Sequence, residues 1–343
     1  MPVQLICAGC FFTHNPVQPF IESSERMIEM QMYSKKIDDI MNIVPVRVRK
    51  TLQNALRDVE NRVQEITLRT GRPLCVYING EQLYLSPRAT LTRDVGDQST
   101  VILTSAEVNE SFNALCGYSV YSHINEIKEG FITVKGGHRA AISGTAVVSN
   151  SEIINVRDIS TISVRIAREI IGCGEKIAED IASSKGGLLI CGAPVSGKTT
   201  VLRDLARLLS SKYSRRVSLI DTRGELASAL RGTPQNDVGV CDVLDGYPRE
   251  KGVEQAVRCL SPEFIICDEI GSSEDIRAIL SGVNSGVKFV ATLHAGSREE
   301  LLSRRNAEEI LKTGAFSRVI FLNGRENPGV VREKVSLEEL LNV

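Results

Sequence analysis

The stretch GAPVSGKTT, Gly192 to Thr200, follows directly on the apolar run GGLLIC. Gly192 and Gly197 bracket Ala193, Pro194, Val195 and Ser196, and Lys198, Thr199 and Thr200 complete it. This G-x-x-x-x-G-K-T spacing is that of a phosphate cradle. Its glycines let backbone N–H groups face phosphate oxygens, and the start of the following helix adds positive potential. Lys198 is expected to reach the β- and γ-phosphates, and the Thr199 hydroxyl to ligate Mg²⁺. ATP and Mg²⁺ are therefore the expected cofactors. An ordinary glycine-rich turn between strand and helix would leave the lysine unexplained.

Further apolar runs end in groups that could act beside such a cradle. PEFIICDEIG closes on Asp268-Glu269, two carboxylates at the C-terminal end of a buried strand, where ligands gather in parallel sheets. Asp268 is expected to hold Mg²⁺ and Glu269 to polarise an attacking water as general base. VSLIDTRGEL ends in Asp221, with Glu225 shortly after; alone, these acids read as a decorated helix entry. FVATLHAG ends in His294, placed where a γ-phosphate sensor belongs, although an isolated histidine is more often a satisfied structural group. Arg157, Arg165 and Arg168 in NVRDISTISVRIAREI could supply positive charge to a phosphoryl-transfer transition state, a role often filled by an arginine from a neighbouring subunit. Their plainer reading is a solvated basic strand edge.

The elements that must position these groups form two patterns. From about residue 33 to 172, short helices and alternating strands indicate a smaller α+β domain. RPLCVYING-EQLYLS reads as a hairpin turning at Asn79-Gly80. TSAEVNESFNAL opens a helix with Thr104 and Glu107, and GFITVKGGHRAAISGTAVV bends at Gly136-Gly137. From 173 to 343, GLLIC, RVSLID, FIICDE and KFVATLH alternate with helical stretches. Runs apolar on both faces imply an α/β domain with a mainly parallel sheet covered on both sides. Residues 1–32 show no periodicity and no signal-peptide pattern, and read as a disordered leader or mis-assigned start. Cys7 and Cys10 there lack a second ligand pair for a metal.

Composition weighs against several classes. The 343 residues suffice for two packed domains, at 42% hydrophobic and 24% charged. A formal net charge of −1, no Trp and 5% aromatic residues give neither the basic field nor the stacking platform of a nucleic-acid binder. No apolar run approaches the roughly 18 residues of a membrane span. Nine cysteines without repeating spacing read as reduced cytoplasmic thiols.

The order of P-loop, acidic strand end, DEIG and TLHAG resembles the RecA-type motors of type II and type IV secretion systems. VKGGHRAAISGTAVV, VRDISTISVRIARE, GTPQNDVGVCDVLDG and AILSGVNSGVKFVATLHA are similar to the stage III sporulation protein AA branch of that family, from roughly Ile37 to RVIFL. The resemblance implies a RecA-like P-loop ATPase domain, with Glu225 in an acidic box and His294 in a histidine box. It implies a homo-hexamer, membrane-embedded channel proteins of a sporulation secretion-like complex as partners, and a place on the mother-cell side of that membrane. The wider family carries Gly-Glu where this chain has Asp268-Glu269. Glu269 therefore keeps the family position, while the metal role of Asp268 rests on general P-loop chemistry. Either Glu225 or Glu269 could activate water, with Glu269 favoured. Besides a cytoplasmic ATP-hydrolysing motor, the residues leave a RecA-like nucleic-acid motor and an ATP-gated assembly switch as readings. The segment CDVLDGYPREKG reads as a loop that could contact a partner or cover the nucleotide.

Overall fold

The computed structural model describes residues 37–96, 99–128 and 130–341. The leader expected over 1–32, with Cys7 and Cys10, lies outside the described residues. The chain divides into two compact units, Met1–Lys128 with Ala141–Ile166, and Glu129–Ala140 with Ala167–Val343.

The first unit is α+β. Helix α1 (Val46–Leu56) buries Val48, Leu52 and Leu56, four residues apart and so on one face. Strand β1 (Val63–Arg69) pairs antiparallel with β2 (Cys75–Ile78) and with β7 (Glu152–Arg165). Strand β3 (Glu81–Leu85) pairs with β2 and with β4 (Leu91–Thr92). The β2–β3 turn places Asn79 at φ 51° and Gly80 at φ 82°, as the two-residue loop requires. Helix α2 (Ser105–Leu115) begins with the expected box: the Thr104 hydroxyl accepts from the Glu107 N–H, and the Glu107 carboxylate accepts from the Thr104 N–H. Arg47 also binds Glu107 and holds its carboxyl at about 2. Helix α3 (Ile124–Lys128) ends this part of the unit.

The second unit is α/β with a mostly parallel sheet. A segment bearing β5 (Phe131–Val134) and the start of β6 (His138–Ser149) belongs to it, and Gly136 and Gly137 make the intervening bend at φ 83° and 77°. Then follow α4 (Glu175–Ala182), β8 (Gly187–Gly192), α5 (Lys198–Arg207), β9 (Val217–Asp221), β10 (Asp242–Asp245), α6 (Arg249–Gln255), β11 (Phe264–Cys267), α7 (Ser273–Val283) and β12 (Lys288–His294). Helices α8 (Arg298–Ser303) and α9 (Ala307–Lys312), strands β13 (Phe316–Leu322) and β14 (Val331–Ser336), and helix α10 (Leu337–Leu341) complete it. The strand order is β10-β9-β11-β12-β8-β13-β14, parallel except for β14.

Strands β8, β9 and β11 are buried along their whole length, because separate hydrophobic clusters cover the sheet. One contains Phe289, Ile279, Val253 and Phe321; the other contains Leu202, Leu205, Ile177 and Phe264. The DVLD portion of the expected CDVLDGYPREKG loop is instead strand β10. It is an edge strand with Asp242 and Asp245 exposed, a charged pattern natural at a sheet edge and easily read as loop.

Candidate functional site

Strand register brings the expected groups to one edge of the second sheet. His294 is the register partner of Gly192, and Cys267 is the partner of both Ala291 and Ile220. Asp268, one residue past β11, therefore lies level with Thr292 and Asp221. Cradle, acids and histidine terminate neighbouring parallel strands at their C-terminal ends, the usual ligand edge.

The cradle runs from β8 into α5. A Cβ on Gly192 would lie 2.3 Å from Ser196 Oγ, and one on Gly197 would lie 2.6 Å from Gly329 N. Gly197 also sits at φ 88°, where side chains are disfavoured. The Gly329 N–H donates to the Ser196 carbonyl at 2.8 Å, so the turn after β13 braces the loop. Val195 takes φ 66° and is 67% exposed; Ala193 and Pro194 lead into it, and Thr200 continues the helix behind Thr199. Lys198 is buried. Its Nζ donates to the carbonyls of Gly192 (2.9 Å) and Ala193 (3.0 Å) and to His294 Nδ1 (3.1 Å). Burial lowers the lysine pKa, against the pull of Asp268 and Glu269.

The lysine can only donate, so His294 Nδ1 accepts and Nε2 carries the ring proton. Nε2 donates to Glu269 Oε1 at 2.9 Å, and Arg223 grips Glu269 Oε2. Burial would raise the Glu269 pKa, but the His294 hydrogen bond and the Arg223 charge outweigh it and hold the carboxyl below its ordinary value. Asp268 Oδ2 accepts from Thr199 Oγ1 at 2.7 Å, and Oδ1 accepts from the fully buried Thr292 hydroxyl. The Glu269 N–H donates to Asp268 Oδ1 (3.0 Å) and Thr292 Oγ1 (2.8 Å). A cleft of about 620 Å³, lined by Arg223, Glu269, His294 and Arg305 among others, opens beside this group.

Asp221 and Glu225 do not enter a helix. Asp221 is buried, and its carboxylate accepts from the backbone N–H groups of Glu225 (2.9 Å), Leu226 (3.0 Å) and Ala227 (2.8 Å). It shapes a turn. Glu225 Oε1 accepts from Arg139 at 2.7 Å, and Arg203 clamps the same turn through the carbonyls of Glu225 (2.8 Å) and Leu226 (2.9 Å). Of the expected arginines, Arg168 is in this unit and its carbonyl accepts from Arg203 at 3.5 Å. Arg157 and Arg165 are on β7 in the other unit, where both are exposed and Arg157 lies 3.5 Å from Asp158.

These residues fit a nucleotide with a hard cation. Ser196 Oγ is buried within the loop and has no hydrogen-bond partner, as a group awaiting an anion's oxygen would be. Among the described residues no group of three or more His, Cys, Asp or Glu side chains forms a ready metal cage. Mg²⁺ does not need one, since phosphates and waters usually supply most of its ligands. Thr199 and Asp268 would be the protein's share.

The mainly parallel α/β sheet of this unit is a RecA-like fold, and solved structures of secretion ATPases share it. The DotB ATPase of Yersinia pseudotuberculosis is similar at TM-score 0.56 and 15% identity, over 87% of this chain and 82% of that one. The pilus retraction motor PilT is similar at TM-score 0.51 and 16% identity, over 79% and 77%. The chain belongs to the family Sporulation stage III, protein AA, whose model matches residues 34–336. Stage III sporulation protein AA of Bacillus subtilis (strain 168) is 32% identical over 307 residues, 87% of this chain and 94% of that relative.

Sequence reasoning passed over Arg139, Arg203, Arg223, Arg249, Thr292 and Gly329. The Asn327-Pro328-Gly329 turn was a readable signal for the brace on the cradle. Nothing in the sequence separates the four arginines from solvated surface.

Proposed function

We propose that the chain is a Mg²⁺-dependent ATPase that works as a homo-hexamer serving membrane-embedded channel proteins during endospore formation. The observation that carries the reading is the unbroken line Lys198–His294–Glu269, alongside Thr199–Asp268. It links the cradle to an ionised carboxylate and to a site for a hard cation. Bound Mg²⁺ would neutralise developing charge on the phosphates. Lys198 binds the β- and γ-phosphates, exchanging its carbonyl partners for phosphate oxygens. Glu269 orients a water for attack and accepts its proton, with His294 fixing the carboxylate and sensing the γ-phosphate. Glu225, already paired with Arg139, shapes the neighbouring turn. Arg157, Arg165 and Arg168 supply transition-state charge, within a subunit or across the ring.

Among the described residues no helix is long and apolar enough to cross a membrane, so attachment on the mother-cell side is assigned to the channel proteins. The test is ATP turnover against protein concentration with Mg²⁺, using Lys198→Ala as control. Specific activity should climb with concentration and vanish in the control. Turnover equal in wild type and Lys198→Ala would refute the reading. ATP binding without turnover at any concentration would favour an assembly switch.

A further inference from the structure

Arg249 opens α6, directly after the Gly246-Tyr247-Pro248 turn. Its side chain is 14% exposed, and its Nε is buried without a hydrogen-bond partner. Burying a guanidinium is costly unless its remaining nitrogens are well used. Here they are. Nη2 donates to the Asp268 carbonyl at 2.6 Å, and Nη1 pairs with the Asp275 carboxylate. Asp275 Oδ2 in turn accepts from the N–H groups of Gly271 and Ser272, each at 2.8 Å, while the Asp275 N–H donates to the Ser272 hydroxyl and caps α7.

The ion pair thus pins the 268–272 turn at both ends. Between them Glu269 sits at φ 50°, a left-handed conformation that a glutamate holds only when its surroundings impose it. Two further bonds act on the same stretch: the Glu269 N–H to Thr292 Oγ1 and the Ile270 N–H to the Thr292 carbonyl at 2.9 Å. Those fix the turn to β12. Among the described residues Arg249 alone fixes the carbonyl of Asp268, the peptide unit that links the metal-side acid to the water-side acid.

We propose that Arg249 is a positioning residue for both acids, holding the turn so that Asp268 meets Thr199 while Glu269 meets His294. The catalytic half of this inference rests on the ATPase reading; the metal half does not. A lysine could reach one of the two partners but lacks the planar fork that serves both. A misplacement of about 1 Å can cost about 10²-fold in rate.

Three full-length variants test it: Arg249→Met, Arg249→Lys and Asp275→Asn, the last keeping the helix cap but not the ion pair. Two readouts are taken, steady-state ATP turnover and the affinity of the ATP-bound protein for Mn²⁺ as a spectroscopic stand-in for Mg²⁺. Arg249→Met should lower kcat about 10²-fold at nearly unchanged KM and weaken Mn²⁺ binding. Arg249→Lys should recover part of both, and Asp275→Asn should reproduce the Met variant. Wild-type kcat and Mn²⁺ affinity in Arg249→Met would overturn the inference. So would equal loss of kcat, ATP binding and melting temperature in all three variants, the mark of a purely structural arginine. If wild-type turnover does not exceed that of Lys198→Ala, the ATPase reading fails and Mn²⁺ affinity alone decides. Weakened affinity in folded Arg249→Met then upholds the positioning of Asp268, and unchanged affinity overturns it.

Discussion

Glu269→Gln and Glu225→Gln separate the two candidate bases. Glutamine keeps the size of each side chain but cannot accept a proton from water. Glu269 is joined through His294 Nε2 (2.9 Å) and Nδ1 (3.1 Å) to Lys198 in the cradle. Glu225 is joined instead to Arg139, with both side chains more than a third exposed. Loss of a general base costs about 10²- to 10⁴-fold in rate, equivalent to about 3–5 kcal/mol of barrier. An exposed ion pair is worth about 0–1 kcal/mol, so removing the Glu225 partner should slow turnover less than about fivefold. The assay is phosphate release at saturating MgATP, with ATP affinity and melting temperature measured on the same preparations. Glu269→Gln should retain ATP binding and lose turnover; Glu225→Gln should retain both. Loss of turnover in Glu225→Gln, with turnover preserved in Glu269→Gln, would refute the assignment.

Three further outcomes follow from the geometry. Val195→Gly should raise stability by about 0.5–1 kcal/mol, because relief of a β-branched left-handed residue exceeds the entropy cost of glycine; a lower melting temperature would contradict it. Gly197→Ala places a Cβ 2.6 Å from Gly329 N at a positive φ, and should cost about 2 kcal/mol or more together with ATP binding, read by melting and nucleotide titration. Glu107 has a folded pKa of about 2 against an ordinary 4.5, so its contribution is present above the ordinary value and is lost as pH falls from 4.5 through about 2. Because Arg47 is 57% exposed, that contribution is discounted to about 1 kcal/mol, and Glu107→Gln should flatten the acid limb of a stability–pH curve relative to wild type.

The parts of the fold that sequence made legible are those governed by local rules. The turn at Asn79-Gly80 needs two positive φ values, and the Thr104–Glu107 box satisfies helix-start N–H groups, so residue types announce both. Strands β8, β9, β11 and β12 were visible because burial on both faces leaves mostly apolar runs, interrupted only by the small hydroxyls Ser218 and Thr292. Their polar ends were visible as the acids and the histidine that close those runs. What stayed hidden depends on register and distant partners. Asp221 looked like one more strand-end acid, yet its carboxylate is consumed by three backbone N–H groups. Arg203 and Arg249 grip carbonyls of residues far along the chain, and no spacing encodes that. Strand β10 looked like loop because an edge needs few apolar residues.

Backbone conformation ties these points together. Gly197, Val195 and Glu269 all take left-handed φ values at one sheet edge, and only the first is a glycine. Valine and glutamate gain nothing locally from that region, unlike asparagine or aspartate. Each is held there by its surroundings: Val195 by a loop closed around Ser196 and braced by Gly329, Glu269 by Thr292 and Asp268. Strain maintained at both the phosphate-binding loop and the acid turn, on strands whose register brings them together, points to geometry kept for chemistry. Left-handed residues also stand elsewhere around this sheet, at Ser214 before β9, at Ser261 before β11 and at Ser228 and Arg231 after β9. Positive φ therefore counts toward function only where it coincides with convergent polar groups, at the edge where Lys198, Asp268, Glu269 and His294 meet.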